Sequence, residues 1–383
     1  MAEAVRILHV LGNTRLGGAE SRIMDLYRHM DRDRVQFDFL VHTGDVHTGD
    51  VHTDKEGYFD KEIQSLGGRI FRIPRFRAYN YFSYKRAVRA FFREHHEFQV
   101  VQGHITSTAA IYLPEAKKAG VAITAAHARS AGVDQGLKGV LTRFLRRNLS
   151  KKTDVMFTCS ELAGISVFGK KAVEQGKTIF IPNAIDCRAF DYNQEVREKI
   201  RQELGLAGQY VIGHVGSFRY AKNHEYLLRI FAGLCEKKKD CALLLLGEGS
   251  EMEGIRRLAK ELGIDKQVYF LGNRSNVGDY YQAMDYFVYP SRFEGLPGAV
   301  VEAQTCGLRC LISDTICREV MVTDSVHAMD IRKEPEKWAE YVMETAGYQR
   351  RGRMEEMKKA GFDVNAQVKT MTKFYETGKW DGK

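Results

Sequence analysis

The sequence predicts an α/β protein with two doubly wound parallel sheets. Three observations carry this reading. Short apolar runs alternate with amphipathic stretches from end to end. The apolar runs are near-continuous, as in strands buried on both faces. The 383 residues are too many for one ordinary domain, and 6 prolines against 35 glycines leave long stretches free for helix and strand. In the first half the expected strands are Val5–Leu11, Gln36–Val41, Arg69–Ile73, Val100–Gln102, Ala122–Ala126, Val155–Thr158 and Thr178–Ile181. Helical patterns at Glu20–His29, Ser83–Glu94, Ser107–Ala119 and Leu137–Ser150 separate most of them. In the second half the strands are Tyr210–Val215, Ala242–Leu246, Val268–Leu271, Tyr286–Tyr289 and Cys310–Ile312. A proline closes a strand in Ile181-Pro182-Asn183-Ala184-Ile185-Asp186, which marks the boundary. The expected domains are 1–187 and 188–362, with 363–383 a last helix (about Val364–Thr377) that packs back on the first domain.

A chain 44% hydrophobic and 28% charged is neither disordered, collagen-like nor a multi-span membrane protein. The opening MAEAVRILHVLGN is broken by Arg6 and His9 and lacks a small-residue cleavage site, so it reads as a strand and not a secretion signal. Seven cysteines without a C-x-x-C pair read as reduced buried thiols of a cytoplasmic protein. The tandem VHTGDVHTGDVHT at 41–53 places His42, His47 and His52 five apart, a poor metal spacing, and reads as a duplicated surface loop. The net charge of +9 is lopsided: residues 1–187 hold 28 Lys/Arg and 20 Asp/Glu, residues 188–383 hold 30 and 29. An excess confined to one half suits an anionic partner.

Three segments carry chemistry. Gly12–Glu20 joins the first strand to its helix, and Gly17 and Gly18 let backbone N–H groups approach a ligand at a helix N-terminus. Neither it nor Gly247-Glu248-Gly249 completes the dinucleotide G-x-G-x-x-G. Gly216-Ser217-Phe218-Arg219-Tyr220-Ala221-Lys222-Asn223 holds the matching place in the second domain, with two cations suited to a diphosphate. Ser291-Arg292-Phe293-Glu294-Gly295-Leu296-Pro297-Gly298 runs into a helix carrying Glu302. Its two carboxylates can accept hydrogen bonds from sugar hydroxyls, while the amides of 295–298 can meet phosphate.

With GGAE at 17–20, IPNAID at 181–186, GSFRYAKN at 216–223, LLLLGEGSE at 243–251, FLGNRSNV at 270–277 and YPSRFEGLPGAVVEA at 289–303, the chain resembles the retaining glycosyltransferases of family four. The likeness runs from about Val5 to about Tyr375 and is nearest to bacterial exopolysaccharide and capsule enzymes. It implies the GT-B fold, two Rossmann-like domains facing a central cleft. It also implies that Glu294 holds donor-sugar hydroxyls and Glu302 the ribose, and that Gly295, Leu296 and Pro297 line the sugar and phosphate pocket. Lys222 would meet the diphosphate, helped by Gly216, Asn223 and the amides of Gly17 and Gly18. The backbone near Arg274 would border the base. His127 matches the family's active-site histidine, and His104 is an acceptor-side candidate. The family's usual arginine after the loop glycine is here Ser217, so Arg219 is the candidate substitute.

The implied reaction moves a sugar with retention from a nucleotide sugar, most simply a UDP-sugar, to a hydroxyl of a glycan acceptor. No essential metal or other cofactor is expected, and Asp31-Arg32-Asp33 reads as a solvated turn. RIPRFRAYNYFSYKRAVRAFFREHHE (72–97) and KGVLTRFLRRNLSKK (138–152) are basic and aromatic, suiting the anionic inner face of a plasma membrane and a polyprenyl-diphosphate-linked acceptor. No nucleic-acid motif is present. A nucleotide-sugar epimerase of the same fold and a non-catalytic sugar-binding protein are the alternatives. The Glu294/Glu302 arrangement favours transfer.

Overall fold

A computed structural model describes residues 3–43, 56–132 and 136–381. The chain divides into two units, Met1–Ala184 with Val364–Lys383, and Ile185–Asp363. The first unit's strands are β1 (Val5–Val10), β2 (Val35–Thr43), β3 (Ile70–Pro74), β4 (Phe98–Gly103), β5 (Ile123–Ala128), β6 (Val155–Thr158) and β7 (Thr178–Phe180). They form one parallel sheet in the order β3-β2-β1-β4-β5-β6-β7. The order reverses at β1 and β4, the place where such sheets bind ligands at their carboxyl ends. Helix Val364–Thr377 lies against β1, β2 and helix Gly18–His29. It lends Met371, Phe374 and Tyr375 to a core that includes Ile7, Phe37 and Phe157.

The second unit holds β8 (Tyr210–Val215), β9 (Cys241–Leu246), β10 (Val268–Gly272), β11 (Tyr286–Tyr289), β12 (Arg309–Ser313) and β13 (Val326–Met329). Their order is β10-β9-β8-β11-β12-β13, again all parallel, with the reversal at β8 and β11. Strand β9 is buried at every residue, which is why CALLLL carries no polar alternation. Strand β13 escapes the sequence reading for a physical reason. It is a four-residue edge strand in which only Val326 and Met329 are buried, so it has no apolar run.

All seven cysteines are buried and stand outside disulfides. Most of the tandem repeat, with His47 and His52, lies outside the described residues. His42 has both ring nitrogens engaged: Nδ1–H donates to the Leu11 carbonyl (3.1 Å) and Nε2 accepts from the Tyr84 hydroxyl (2.9 Å). Asp31-Arg32-Asp33 is exposed and precedes β2, at the amino end of that strand.

Candidate active site

In the second unit the chemistry gathers where β8 and β11 end. After β8 the chain turns through Phe218, which is fully buried and stacked on His224 at 4.0 Å between ring centres. A 3-10 turn, Tyr220–Lys222, leads into helix His224–Lys237. Asn223 joins the two in the left-handed region (φ 58°), and its Nδ2 donates to the Pro290 carbonyl (3.1 Å). The loop after β11 is tied back to the same turn. Arg292 N–H donates to the Ala221 carbonyl (2.7 Å) and its guanidinium to the Tyr220 carbonyl (2.6 Å). The two loops therefore form one rigid support for Lys222 and Glu294.

Gly216 lets the Lys222 stem lie against the backbone: a Cβ there would stand 3.2 Å from Lys222 Cδ. Gly247 and Gly249 pack on the same loop, where a Cβ would fall within 2.2 Å of the Gly216 oxygen and 2.3 Å of the Phe218 oxygen. That close approach accounts for the glycine pair that does not make a dinucleotide fingerprint.

The Lys222 ammonium lies 2.6 Å from Glu294 Oε1 and also donates to the Tyr289 hydroxyl. That hydroxyl in turn donates to Glu294 Oε1 (3.3 Å). Burial pulls the Lys222 ammonium down, but Tyr289 and Glu294 beside it outweigh burial and hold it above its ordinary value. Burial, then Glu294, pushes the Tyr289 phenol upward, so it stays neutral. The cluster pairs a fixed cation with a carboxylate, the set needed to meet diphosphate and sugar hydroxyl together.

Gly295, Leu296 and Pro297 are buried, and Pro297 caps helix Gly298–Thr305. Glu302 is buried in that helix, where its Oε2 accepts from the Tyr281 hydroxyl (2.9 Å). Arg219 is exposed, with no side-chain partner among the described residues. Arg274 follows β10, the outer strand, two strands away from β8. Its Nε donates to the Leu271 carbonyl (2.9 Å), so its side chain folds back on its own strand.

In the first unit Gly17 caps helix Gly18–His29 with no side-chain hydrogen bond. His127 sits in β5, and His104 follows β4. They share a polar cluster with His9, Gln102, Arg129 and Tyr375, in which His104 and Arg129 are half-buried and the others buried. Gln102 Nε2 lies 3.2 Å from His127 Nδ1, and the Tyr375 hydroxyl donates to Gln102 Oε1 (2.7 Å). Arg129 donates through Nε to His104 Nδ1 (3.1 Å) and through its terminal nitrogen to Asn183 Oδ1 (2.9 Å). Burial, then Arg129, holds His9 down to about 3 and His127 well below the usual histidine range. Burial does the same to His104, with Arg129 again the next cause. All three imidazoles are neutral near pH 7.

Sequence reasoning missed Tyr289, Tyr281, Gln102, Arg129 and Tyr375. Gln102 left a signal, a polar residue inside an otherwise apolar strand. Tyr375 left none, because it reaches the cluster from the far end of the chain.

Two family profiles match the chain: "Glycosyltransferase Family 4" over residues 16–189 and "Glycosyl transferases group 1" over residues 196–361. EpsF of Bacillus subtilis (strain 168), described as a glycosyltransferase, is 32% identical over 378 residues, 97% of this chain and 96% of the relative. The Escherichia coli UDP-Gal:alpha-D-GlcNAc-diphosphoundecaprenol alpha-1,3-galactosyltransferase is 30% identical over 149 residues, 37% of this chain and 38% of that protein. Among solved structures, Anabaena HepE in complex with UDP-glucose superposes with a TM-score of 0.73 at 15% identity, covering 97% of this chain and 98% of that one. That likeness concerns the fold.

Proposed function

The chain belongs to the family 4 glycosyltransferases and is a nucleotide-sugar glycosyltransferase of the GT-B fold, and from that premise we propose that it transfers a hexose from a UDP-sugar, with retention, to a lipid-linked glycan in cell-surface polysaccharide synthesis. The Lys222–Glu294–Tyr289 cluster carries the reading. As the bond between the anomeric carbon and the phosphate oxygen breaks, its electron pair leaves with the diphosphate. Lys222 and the exposed Arg219 meet that growing charge without a metal. Glu294 accepts from sugar hydroxyls, Glu302 from the ribose, and His127 contacts the donor sugar. The acceptor oxygen bonds to the anomeric carbon on the same face, and its proton passes to a leaving-phosphate oxygen. HepE was solved with UDP-glucose, and the E. coli relative is named for UDP-Gal and an undecaprenol-linked acceptor. Both names support the choice of donor and acceptor class.

Among the described residues no helix is long and apolar enough to cross a membrane. Peripheral attachment is the reading favoured by two helices, Tyr81–Glu94 and Leu137–Arg146, that both pack against Thr106–Lys118. Around them Tyr79, Phe82 and Phe144 are 81%, 85% and 69% exposed. Arg75, Arg86, Arg143 and Arg147 are exposed beside them in sequence. Exposed aromatics among cations suit an anionic bilayer surface.

The test supplies UDP-sugars with and without polyprenyl-diphosphate-linked acceptors in detergent. UDP release that requires acceptor is expected. Conversion of UDP-N-acetylglucosamine without acceptor would favour the epimerase. No release across a broad donor and acceptor panel would sink transfer.

A further inference from the structure

We propose that Gln102 and Tyr375 are positioning residues that hold His127 in the tautomer whose proton is on Nε2, making His127 a hydrogen-bond donor to substrate. The proposal rests on the glycosyltransfer reading for its functional meaning, and on geometry for its chemistry.

Strand register places the parts. His9 pairs with Gln102 across β1 and β4, and Gln102 pairs with Ala125 across β4 and β5. His127, two residues beyond Ala125, points to the same face of the sheet. Gln102 therefore stands between two histidines at the point where the strand order reverses. Its amide has two possible orientations, and Tyr375 chooses between them. The Tyr375 hydroxyl is fully buried, and its one acceptor among the described residues is the Gln102 side chain at 2.7 Å. A buried hydroxyl proton without an acceptor is costly, so the Gln102 carbonyl oxygen must face Tyr375. The amide NH₂ then faces His127 Nδ1 at 3.2 Å and donates to it. An Nδ1 that accepts carries no proton, so in the neutral ring the proton is on Nε2.

A second relay runs in the same sense. Arg129 can only donate, and its Nε reaches His104 Nδ1. The His104 proton is then on Nε2, which donates to His9 Nδ1 (3.0 Å) and leaves the His9 proton on Nε2. Both relays end on a histidine whose buried Nε2 has no partner among the described residues, His9 in one and His127 in the other. A neutral Nε2–H can donate to a sugar hydroxyl, and it cannot take a proton from one. In this unit His127 acts as a donor and not as a base.

The experiment is long-range proton–nitrogen correlation NMR on the full chain with ¹⁵N-labelled histidine rings, the His127 signal assigned by its absence from His127→Asn. A protonated Nε2 and a bare Nδ1 between pH 6 and 8 are expected. A proton on Nδ1, or fast averaging of the two forms, would overturn the proposal from the wild-type spectrum alone. Two variants extend the test. In Gln102→Glu the carboxylate accepts from His127 and draws the proton to Nδ1. In Tyr375→Phe the amide is released and the two tautomers mix. Each should lower kcat/KM roughly tenfold, the worth of one lost hydrogen bond, in a protein that still melts cooperatively. Unchanged His127 signals and unchanged turnover in both would refute the positioning role. A wild type inactive on every nucleotide sugar would instead defeat the glycosyltransfer reading, and the spectrum would still decide the tautomer.

Discussion

The two units offer the same structural opportunity, a parallel sheet whose carboxyl edge opens at a reversal of strand order, and they fill it with opposite chemistry. At the ends of β8 and β11 the second unit places an ion pair, Lys222 and Glu294 at 2.6 Å, supported by a neutral phenol. At the ends of β1, β4 and β5 the first unit places neutral imidazoles, ordered by Gln102, Arg129 and Tyr375. A fixed cation suits a leaving diphosphate. Neutral donors of set direction suit hydroxyl groups, which need orientation more than charge. The fold supplies the edge in both cases, and a few side chains at strand ends decide what the edge can do.

The sharpest way to break this contrast is to remove the cation. Lys222→Ala deletes the charge proposed to meet the diphosphate and leaves Glu294 with the Tyr289 hydroxyl but no cation. The expected loss in kcat/KM is about 10²–10³-fold, the range for removing one preorganised electrostatic group. The stabilisation that UDP gives to thermal unfolding should shrink with it. His127→Ala removes a neutral donor and should cost less, about tenfold. Equal losses, read from UDP release with a lipid-linked acceptor, would mean that the two edges do not divide the work between charge and orientation.

The strand ends that carry this chemistry were largely legible in the sequence. GSFRYAKN and SRFEGLPG stand out because glycines and charged residues gather within a few residues of a strand end. The support behind them was not legible. Tyr289 looks like one more apolar residue of a buried strand until its hydroxyl is seen between Lys222 and Glu294. Glu302 sits on the expected helix, yet its hold by Tyr281 joins residues 21 apart in sequence. Tyr375 reaches Gln102 from 273 residues away. Local pattern reports where backbone turns. It cannot report which distant side chain completes a hydrogen bond.

The contrast also predicts opposite pH limits. His9 titrates near 3 in the folded protein against 6.5 when unfolded, because burial and Arg129 oppose its charged form. Between those values the unfolded chain holds the extra proton, so stability falls as the pH is lowered through that window. The slope is about 1.4 kcal/mol per pH unit for each such histidine. Lys222 is displaced upward, so its contribution is complete below the ordinary lysine value of 10.5 and is lost as the pH rises above it. Denaturant unfolding followed from about pH 4 to 5.5, inside that window, should show a slope lower by about one proton in His9→Gln. Lys222→Met should leave that acid slope unchanged. Identical acid slopes for wild type and His9→Gln would remove the histidines from the account.

The smallest expected effect concerns Arg219, and it sharpens the view of how the second unit spreads its charge. The family resemblance implies an arginine where Ser217 stands, and the nearest free cation is Arg219, exposed and unpartnered among the described residues. Its backbone is extended (φ −137°, ψ 157°) just before the turn that presents Lys222, so its side chain starts outside the buried cluster. A solvated guanidinium interacts through a higher effective dielectric than the buried Lys222 and is screened by salt. Arg219→Ala should therefore weaken UDP-sugar binding about threefold at low ionic strength, with the difference fading as salt approaches 0.5 M. Lys222→Ala should lose its activity at every salt concentration. Titration of UDP binding against salt separates the two. A salt-independent loss in Arg219→Ala as large as that of Lys222→Ala would show that Arg219 folds into the site on binding and takes the place left open at Ser217.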